Sequence, residues 1–249
     1  MACKSLIIFD LDGTLTLSKS NLSSKMSNLL ANLLLIKKVA IVSGGSYKQF
    51  QNQFLNHFHC PKQYLKNLFL FPTCSTSFYR YKKGWQKVYE QTLSAMEKDK
   101  IFKAFKKMFQ ELNYKQPEKT YGKIIEDRKS QITFSALGQQ APLELKKTFD
   151  SSRKKRLKMK KVLEKYIPEF EIRIGGTTSI DVTRKGIDKA YAIEQIGKYL
   201  QVSKKEMLFI GDALFEGGND WPVKKTGVEC VQVSGPERCM EVINRLIKE

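Results

Sequence analysis

Short apolar runs punctuate a lysine-rich chain, among them those at residues 6–9, 39–42 and 207–210. Each is bounded by polar residues, the pattern of a short strand buried on both faces. Helix-like stretches cover 22–36 and 46–58, and 227–233 suggests one more strand. Apolar strands alternating with helices predict an α/β fold with a doubly wound parallel sheet. Between residues 82 and 186 the order changes. A helix at 94–112 is followed by strands at 123–127 and 131–136 joined by a turn, a basic helix at 143–166, and strands at 169–174 and 179–182. Hairpin order of this kind predicts an inserted α+β domain. Its boundaries fall beside Gly84 and Gly186, where turns form readily. The expected organisation is therefore a core from residues 1–81 plus 187–249, with an insert at 82–186.

Composition sharpens this division. The 249 residues include 44 Lys plus Arg and 25 Asp plus Glu, a formal charge of +19. The insert alone holds 26 basic and 13 acidic residues, so most of the excess lies there. Hydrophobic residues at 41% and charged residues at 28% are globular values, which excludes a chain disordered throughout. The five cysteines are scattered without a C-x-x-C pair, and the two histidines, His57 and His59, flank Phe58 with only Cys60 beside them, short of the four ligands a closed zinc site needs. Neither a disulfide framework nor a zinc site is expected on that pattern. The first residues show no signal-peptide order, and no apolar run approaches the ~18 residues of a membrane helix. A cytoplasmic setting with no membrane partner is expected. Residues 152–161 form a basic run that invites a nucleic-acid reading, but Leu157, Val162, Leu163 and Tyr166 recur near helical spacing. An amphipathic helix with a solvated lysine face is the simpler account, and no nucleic acid is expected as a partner.

The chemistry concentrates at Asp10-Leu11-Asp12-Gly13-Thr14, where the first apolar strand ends. Ligands of open α/β sheets bind beyond the carboxyl ends of strands. Two carboxylates so close repel unless a cation lies between them or one is protonated, and hard oxygen ligands suit magnesium. One carboxylate can then attack phosphorus while the other handles the leaving-group proton. A plain turn with solvated acids is the alternative. A calcium loop fails, because position 19 is Lys where its glutamate would stand. Ser43-Gly44-Gly45 after the second strand offers a hydroxyl and approachable amides for a phosphate. Lys189 can neutralise a transferring phosphoryl group. Gly211-Asp212 and Asn219-Asp220 follow the third buried strand and offer further acids.

Taken in order, Asp10-x-Asp12-Gly-Thr, Ser43, Lys189, and Gly211-Asp212 with Asn219-Asp220 resemble the four motifs of the haloacid dehalogenase superfamily. Ile125-Glu126-Asp127-Arg128, the run from Gly175 to Val182, and Gly186-Ile187-Asp188-Lys189 resemble its phosphomannomutase branch, which carries a large α+β cap. The resemblance implies a catalytic core with a substrate-specificity cap at 82–186. It implies Asp10 as nucleophile forming an aspartyl-phosphate and Asp12 as general acid/base. Ser43, Gly44 and Lys189 would hold the transferred phosphoryl group. Mg2+ would be bound by Asp10, the backbone carbonyl of Asp12, and Asp212, with Asn219 and Asp220 ordering its shell. Arg128, Lys146, Ser179 and Asp181 would meet the substrate from the cap. The family also suggests a homodimer formed through the cap. Where its members carry arginines, this chain has Lys19, Gln139 and Lys146; lysine loses the planar fork that grips phosphate, and glutamine loses the charge. That set favours a phosphatase acting on a small sugar phosphate. The alternatives are a phosphomannomutase, and a nucleic-acid-binding protein on a decayed scaffold.

Overall fold

The computed structural model describes residues 4–18, 20–175 and 177–248. Cys3, Lys19 and Gly176 lie outside the described residues. In chain order the elements begin with β1 (Leu6–Asp10), α1 (Ser24–Ile36), β2 (Lys38–Val42), α2 (Tyr47–Gln53), β3 (Leu68–Phe71), a single turn α3 (Pro72–Ser75), β4 (Ser77–Tyr81) and β5 (Trp85–Glu90). They continue with α4 (Ala95–Glu111), β6 (Ile125–Asp127), β7 (Gln131–Ser135), α5 (Leu143–Phe149), α6 (Lys154–Tyr166), β8 (Phe170–Gly175) and β9 (Ser179–Arg184). The chain closes with α7 (Lys189–Leu200), β10 (Met207–Gly211), α8 (Trp221–Lys224), β11 (Glu229–Gln232) and α9 (Pro236–Lys248). Two compact units result, Met1–Glu90 with Ile187–Glu249, and Gln91–Gly186.

The first unit is built on a seven-stranded sheet in the order β11-β10-β1-β2-β3-β4-β5. Strands β11 through β3 run parallel, and β4 and β5 add antiparallel. Successive residues of a strand point to opposite faces, which explains the uninterrupted apolar runs. Ile7, Phe9, Val39, Ile41, Leu208 and Ile210 pack with Met26 and Leu30 of α1 and Ile243 of α9. Leu6, Ile8, Ala40, Val42, Met207 and Phe209 pack on the opposite side with Ala192, Ile193 and Ile196 of α7. Side-chain caps start the helices: Ser23 accepts the Met26 N–H at 3.2 Å, and Ser46 and Gln49 form a reciprocal capping box at α2. Strand β5 pairs with β4 in this sheet. Residues 82–90, read from sequence as the start of the insert, therefore lie with the first unit.

The second unit is a four-stranded antiparallel sheet, β6-β7-β9-β8. Ile101, Phe105 and Met108 of α4 and Met159 and Leu163 of α6 bury one face of it against Ile132, Phe134, Ile180 and Val182. The alternate positions Gln131, Thr133 and Ser135 on β7 and Ser179, Asp181 and Thr183 on β9 line the other face with polar groups. The stretch 143–166, expected as one helix, is two. The Asp150 carboxylate accepts the N–H groups of Lys155 and Arg156, both at 3.1 Å, and so caps α6. Arg153 takes a left-handed φ of 60° at the break. Among the described residues no helix is long and apolar enough to cross a membrane.

Candidate active site

Strands β10, β1 and β2 are consecutive in the sheet, so their carboxyl ends meet at one edge. Asp10 ends β1, Ser43 follows β2, and Asp212 follows β10. Lys189 opens α7, where Asp188 caps the helix by accepting the Tyr191 N–H at 2.9 Å. The Lys189 Nζ, on a residue 2% exposed, donates to Asp10 Oδ1 at 2.6 Å and to Asp220 Oδ1. The other oxygen of Asp220 accepts the Ala213 N–H at 3.0 Å, which ties the loop after β10 to the same centre. Thr14 donates to Asp212 Oδ1 at 3.2 Å. Gly13, at φ +90°, is needed here, because a Cβ would lie 2.5 Å from Asp212 Oδ2.

Electrostatics make this centre costly as bare protein. Burial pushes the Asp10 carboxyl well above its ordinary value; Lys189 opposes this, and the charges of Asp220 and Asp212 add to it. Asp212 is raised by burial and then by Asp220. Burial alone would lower Lys189, but Asp10 and Asp220 on either side outweigh it and hold the ammonium protonated above its usual range. Three carboxylates face one ammonium, and ligand oxygens of Asp10, Asp212 and Asp220 lie within 4.8 Å of one another. The Asp10 Oδ2 is buried and makes no hydrogen bond. An all-oxygen set with a surplus of negative charge and an unused buried oxygen fits a hard divalent cation.

The other expected residues of the first unit lie around this centre in different ways. The Asp12 carboxylate accepts from Gln53 Nε2 at 3.3 Å and is not one of the three clustered acids. Ser43, 2% exposed, accepts the Gly45 N–H on its Oγ at 3.0 Å, leaving its own proton available. Gly44 follows it in the same loop, and Asn219 is exposed beside Asp220. In the second unit, Asp181 and Ser179 share the polar face of β9. Asp181 Oδ1 accepts from Thr133 at 2.7 Å, and Thr133 accepts from Gln131 at 2.8 Å. Arg128 Nε donates to Glu126 at 2.7 Å, and Lys146 Nζ donates to the Gln139 carbonyl at 2.8 Å. Gln53, Thr133 and Gln131 escaped the sequence reading, and Thr14 entered it without a role of its own. Thr14 stands inside the Asp-x-Asp-Gly-Thr motif, whereas the others carry no local pattern and are found only through strand register and loop contact.

Solved structures with this fold include an IMP-nucleotidase from Plasmodium falciparum, at TM-score 0.70 and 16% identity over 99% of this chain and 69% of that one. A haloacid dehalogenase-like hydrolase from Bacteroides thetaiotaomicron matches at TM-score 0.62 and 15% identity, over 97% and 99% of the two chains. Fold and relatives together define an enzyme of the haloacid dehalogenase superfamily that transfers phosphoryl groups. Similar sequences include the phosphomannomutase of Encephalitozoon cuniculi, 28% identical over 99% of this chain and 94% of that protein. That of Spinacia oleracea is 30% identical over 90% and 88%. Residues 26–249 match the model of the eukaryotic phosphomannomutase family, and the chain belongs to that family.

Proposed function

We propose that the protein moves the phosphoryl group of a hexose phosphate through an aspartyl-phosphate on Asp10, acting as a phosphomutase. The observation that carries this is the buried Asp10–Lys189–Asp220 arrangement at the end of β1, in a chain whose family is one of phosphomannomutases. An Asp10 oxygen attacks the phosphorus of a hexose bisphosphate, and the bond from phosphorus to the sugar oxygen breaks. Asp12 supplies a proton to that oxygen. In the return step a hydroxyl of the sugar monophosphate loses its proton to Asp12 and takes the phosphoryl group from Asp10. Lys189 and the Ser43 hydroxyl hold phosphoryl oxygens, with Gly44 allowing close approach of the backbone. Asp10, Asp212, Asp220 and the Asp12 carbonyl would hold Mg2+, with Asn219 beside them. When bound, the ion supplies positive charge that screens the phosphoryl oxygens from the carboxylates. Ser179 and Asp181, with Arg128 and Lys146, would meet the sugar and its second phosphate from the cap.

Net hydrolysis of a sugar phosphate is the second reading, favoured by one observation. Lys146 is 4% exposed and spends a proton on the Gln139 carbonyl, so the two positions read against arginines bond to each other. A cap that grips the second phosphate less firmly favours release to water. The test is turnover of mannose and glucose monophosphates with Mg2+, with and without a hexose bisphosphate. Isomerisation that requires the bisphosphate supports the mutase, and phosphate release alone supports the hydrolase. Asp10→Asn abolishes either, and turnover retained at the wild-type rate sinks the nucleophile assignment.

A further inference from the structure

Three consecutive residues without a glycine among them, Thr73, Cys74 and Ser75, occupy the left-handed region at φ 48°, 52° and 65°. L-residues avoid this region because Cβ crowds the carbonyl oxygen, and a β-branched threonine is among the least suited to it. Such a turn persists only where its surroundings over-determine it. Two threonines do so here. The Thr76 hydroxyl donates to the Thr73 carbonyl at 2.8 Å, which commits its proton. The contact between the two hydroxyls, at 2.5 Å, is then donated by Thr73. Both residues are buried, at 4% and 2% exposure, so water does not compete for these bonds. The Ser75 hydroxyl is buried with no hydrogen bond of its own and contributes nothing to the closure.

The turn holds the loop that follows β2. The Thr73 N–H donates to the Gly45 carbonyl and the Cys74 N–H to the Ser43 carbonyl, each at 2.9 Å. An ordinary negative φ at 73 would turn the Cys74 N–H away from the Ser43 carbonyl, and the Ser43–Gly45 loop would lose that tie. We propose that Thr73 and Thr76 are positioning residues: their paired hydroxyls lock a strained left-handed turn whose amides set the orientation of the Ser43–Gly45 phosphate cradle. The role given to that cradle rests on the reading under Proposed function.

Thr76→Val keeps the shape of the side chain and removes both hydroxyl bonds. In the full chain, kcat is expected to fall about 10- to 100-fold with a matching rise in the inhibition constant of inorganic phosphate, the scale of a small misplacement of reacting groups. Thr76→Ser restores both values. The double variant Thr76→Val/Cys74→Gly also recovers, because glycine accepts φ near +52° without a lock. Hydrogen exchange of the amides at 73 and 74 speeds up in Thr76→Val and slows again in the double variant. Wild-type phosphate inhibition and amide protection in Thr76→Val overturn the proposal. So does a double variant that stays as impaired as Thr76→Val. If the wild-type protein shows no Asp10-dependent turnover, the functional reading fails by itself, and the exchange rates still decide whether the threonines lock the turn.

Discussion

Replacing Arg156 by Leu strands one of the most deeply buried charges in the second unit. The side chains of Arg156 and Asp150 are 2% and 1% exposed, and Arg156 Nε meets Asp150 Oδ2 at 2.9 Å. The same guanidinium donates to the Asp150 carbonyl and to the Gly175 carbonyl, both at 3.2 Å. It thereby ties the start of α6 to the end of β8. Breaking a buried pair from one side costs about 3–5 kcal/mol, because the remaining charge keeps its desolvation without its partner. For one cooperative transition of 249 residues, an unfolding entropy of about 0.5 kcal/mol per K places the fall in Tm at about 6–10 °C. Thermal and urea unfolding followed by circular dichroism measure it.

The pH dependence supplies a check of sign. Burial raises the Asp150 carboxyl, but the Arg156 side chain and the N–H groups of Arg156 and Lys155 outweigh this and hold it below the usual carboxylate range. The pair therefore stabilises the protein above the unfolded value of about 3.9 and loses that contribution as pH falls through the folded value. In Arg156→Leu the stranded acid gains a proton readily, so the stability gap to wild type narrows in acid. Adding Asp150→Asn removes the stranded charge while leaving an oxygen to cap α6. The double variant is then more stable than Arg156→Leu alone at pH 7. A double variant that is less stable, or an Arg156→Leu loss under about 1 kcal/mol, refutes the buried-charge argument.

Glu97 provides the exposed counterpart. Its hydrogen bonds from Arg184, at 2.7 Å, and those at the Ser94 cap pull its carboxyl down to about 2. Solvent screens that pair, so Glu97→Gln costs under about 1 kcal/mol in urea unfolding, with the difference vanishing as pH drops toward 2. Gly138→Ala, at φ +81° with its Cβ directed into the Tyr121 carbonyl, lowers Tm clearly, whereas Gly84→Ala, with open space around it, leaves Tm within a degree or two of wild type. Mg2+ raises Tm and chelation reverses the rise; Asp212→Asn flattens the response, and an equal rise in both proteins counts against the acidic cluster as the binding site.

What the sequence made legible follows from how locally each feature is determined. Strands β1, β2 and β10 are buried on both faces, so their apolar runs needed no context. Strand β5 is an edge strand of mixed, half-exposed residues from Trp85 to Glu90, and its place in the large sheet depends on pairing with β4. The division of 143–166 into α5 and α6 depends on one carboxylate at Asp150 reaching forward to two amides, which periodicity does not register. At the site, Asp10, Lys189, Asp212 and Asp220 each sit at a strand end or a helix start, and their order along the chain, which resembles the haloacid dehalogenase motifs, singled them out. Strand order then brings them together. Asp12 was read there as the general acid/base with its backbone carbonyl toward the metal; the acceptance of a hydrogen bond from Gln53 by its carboxylate, a contact set by how α2 packs, carries no local pattern.

Asp10 and Lys189 touch across 179 positions of sequence, and β1 acquires its second neighbour only with β10. During synthesis this interior strand of the large sheet therefore waits with one edge bare while the entire second unit emerges. A bare, flat, apolar edge is the kind that recruits other chains. A ribosome-released fragment ending before residue 207 would carry that edge permanently, with the Asp10 acid lodged among apolar strands. Fragments of this length are expected to be held by chaperones or to precipitate, so the last sixth of the chain decides whether the first third stays in solution.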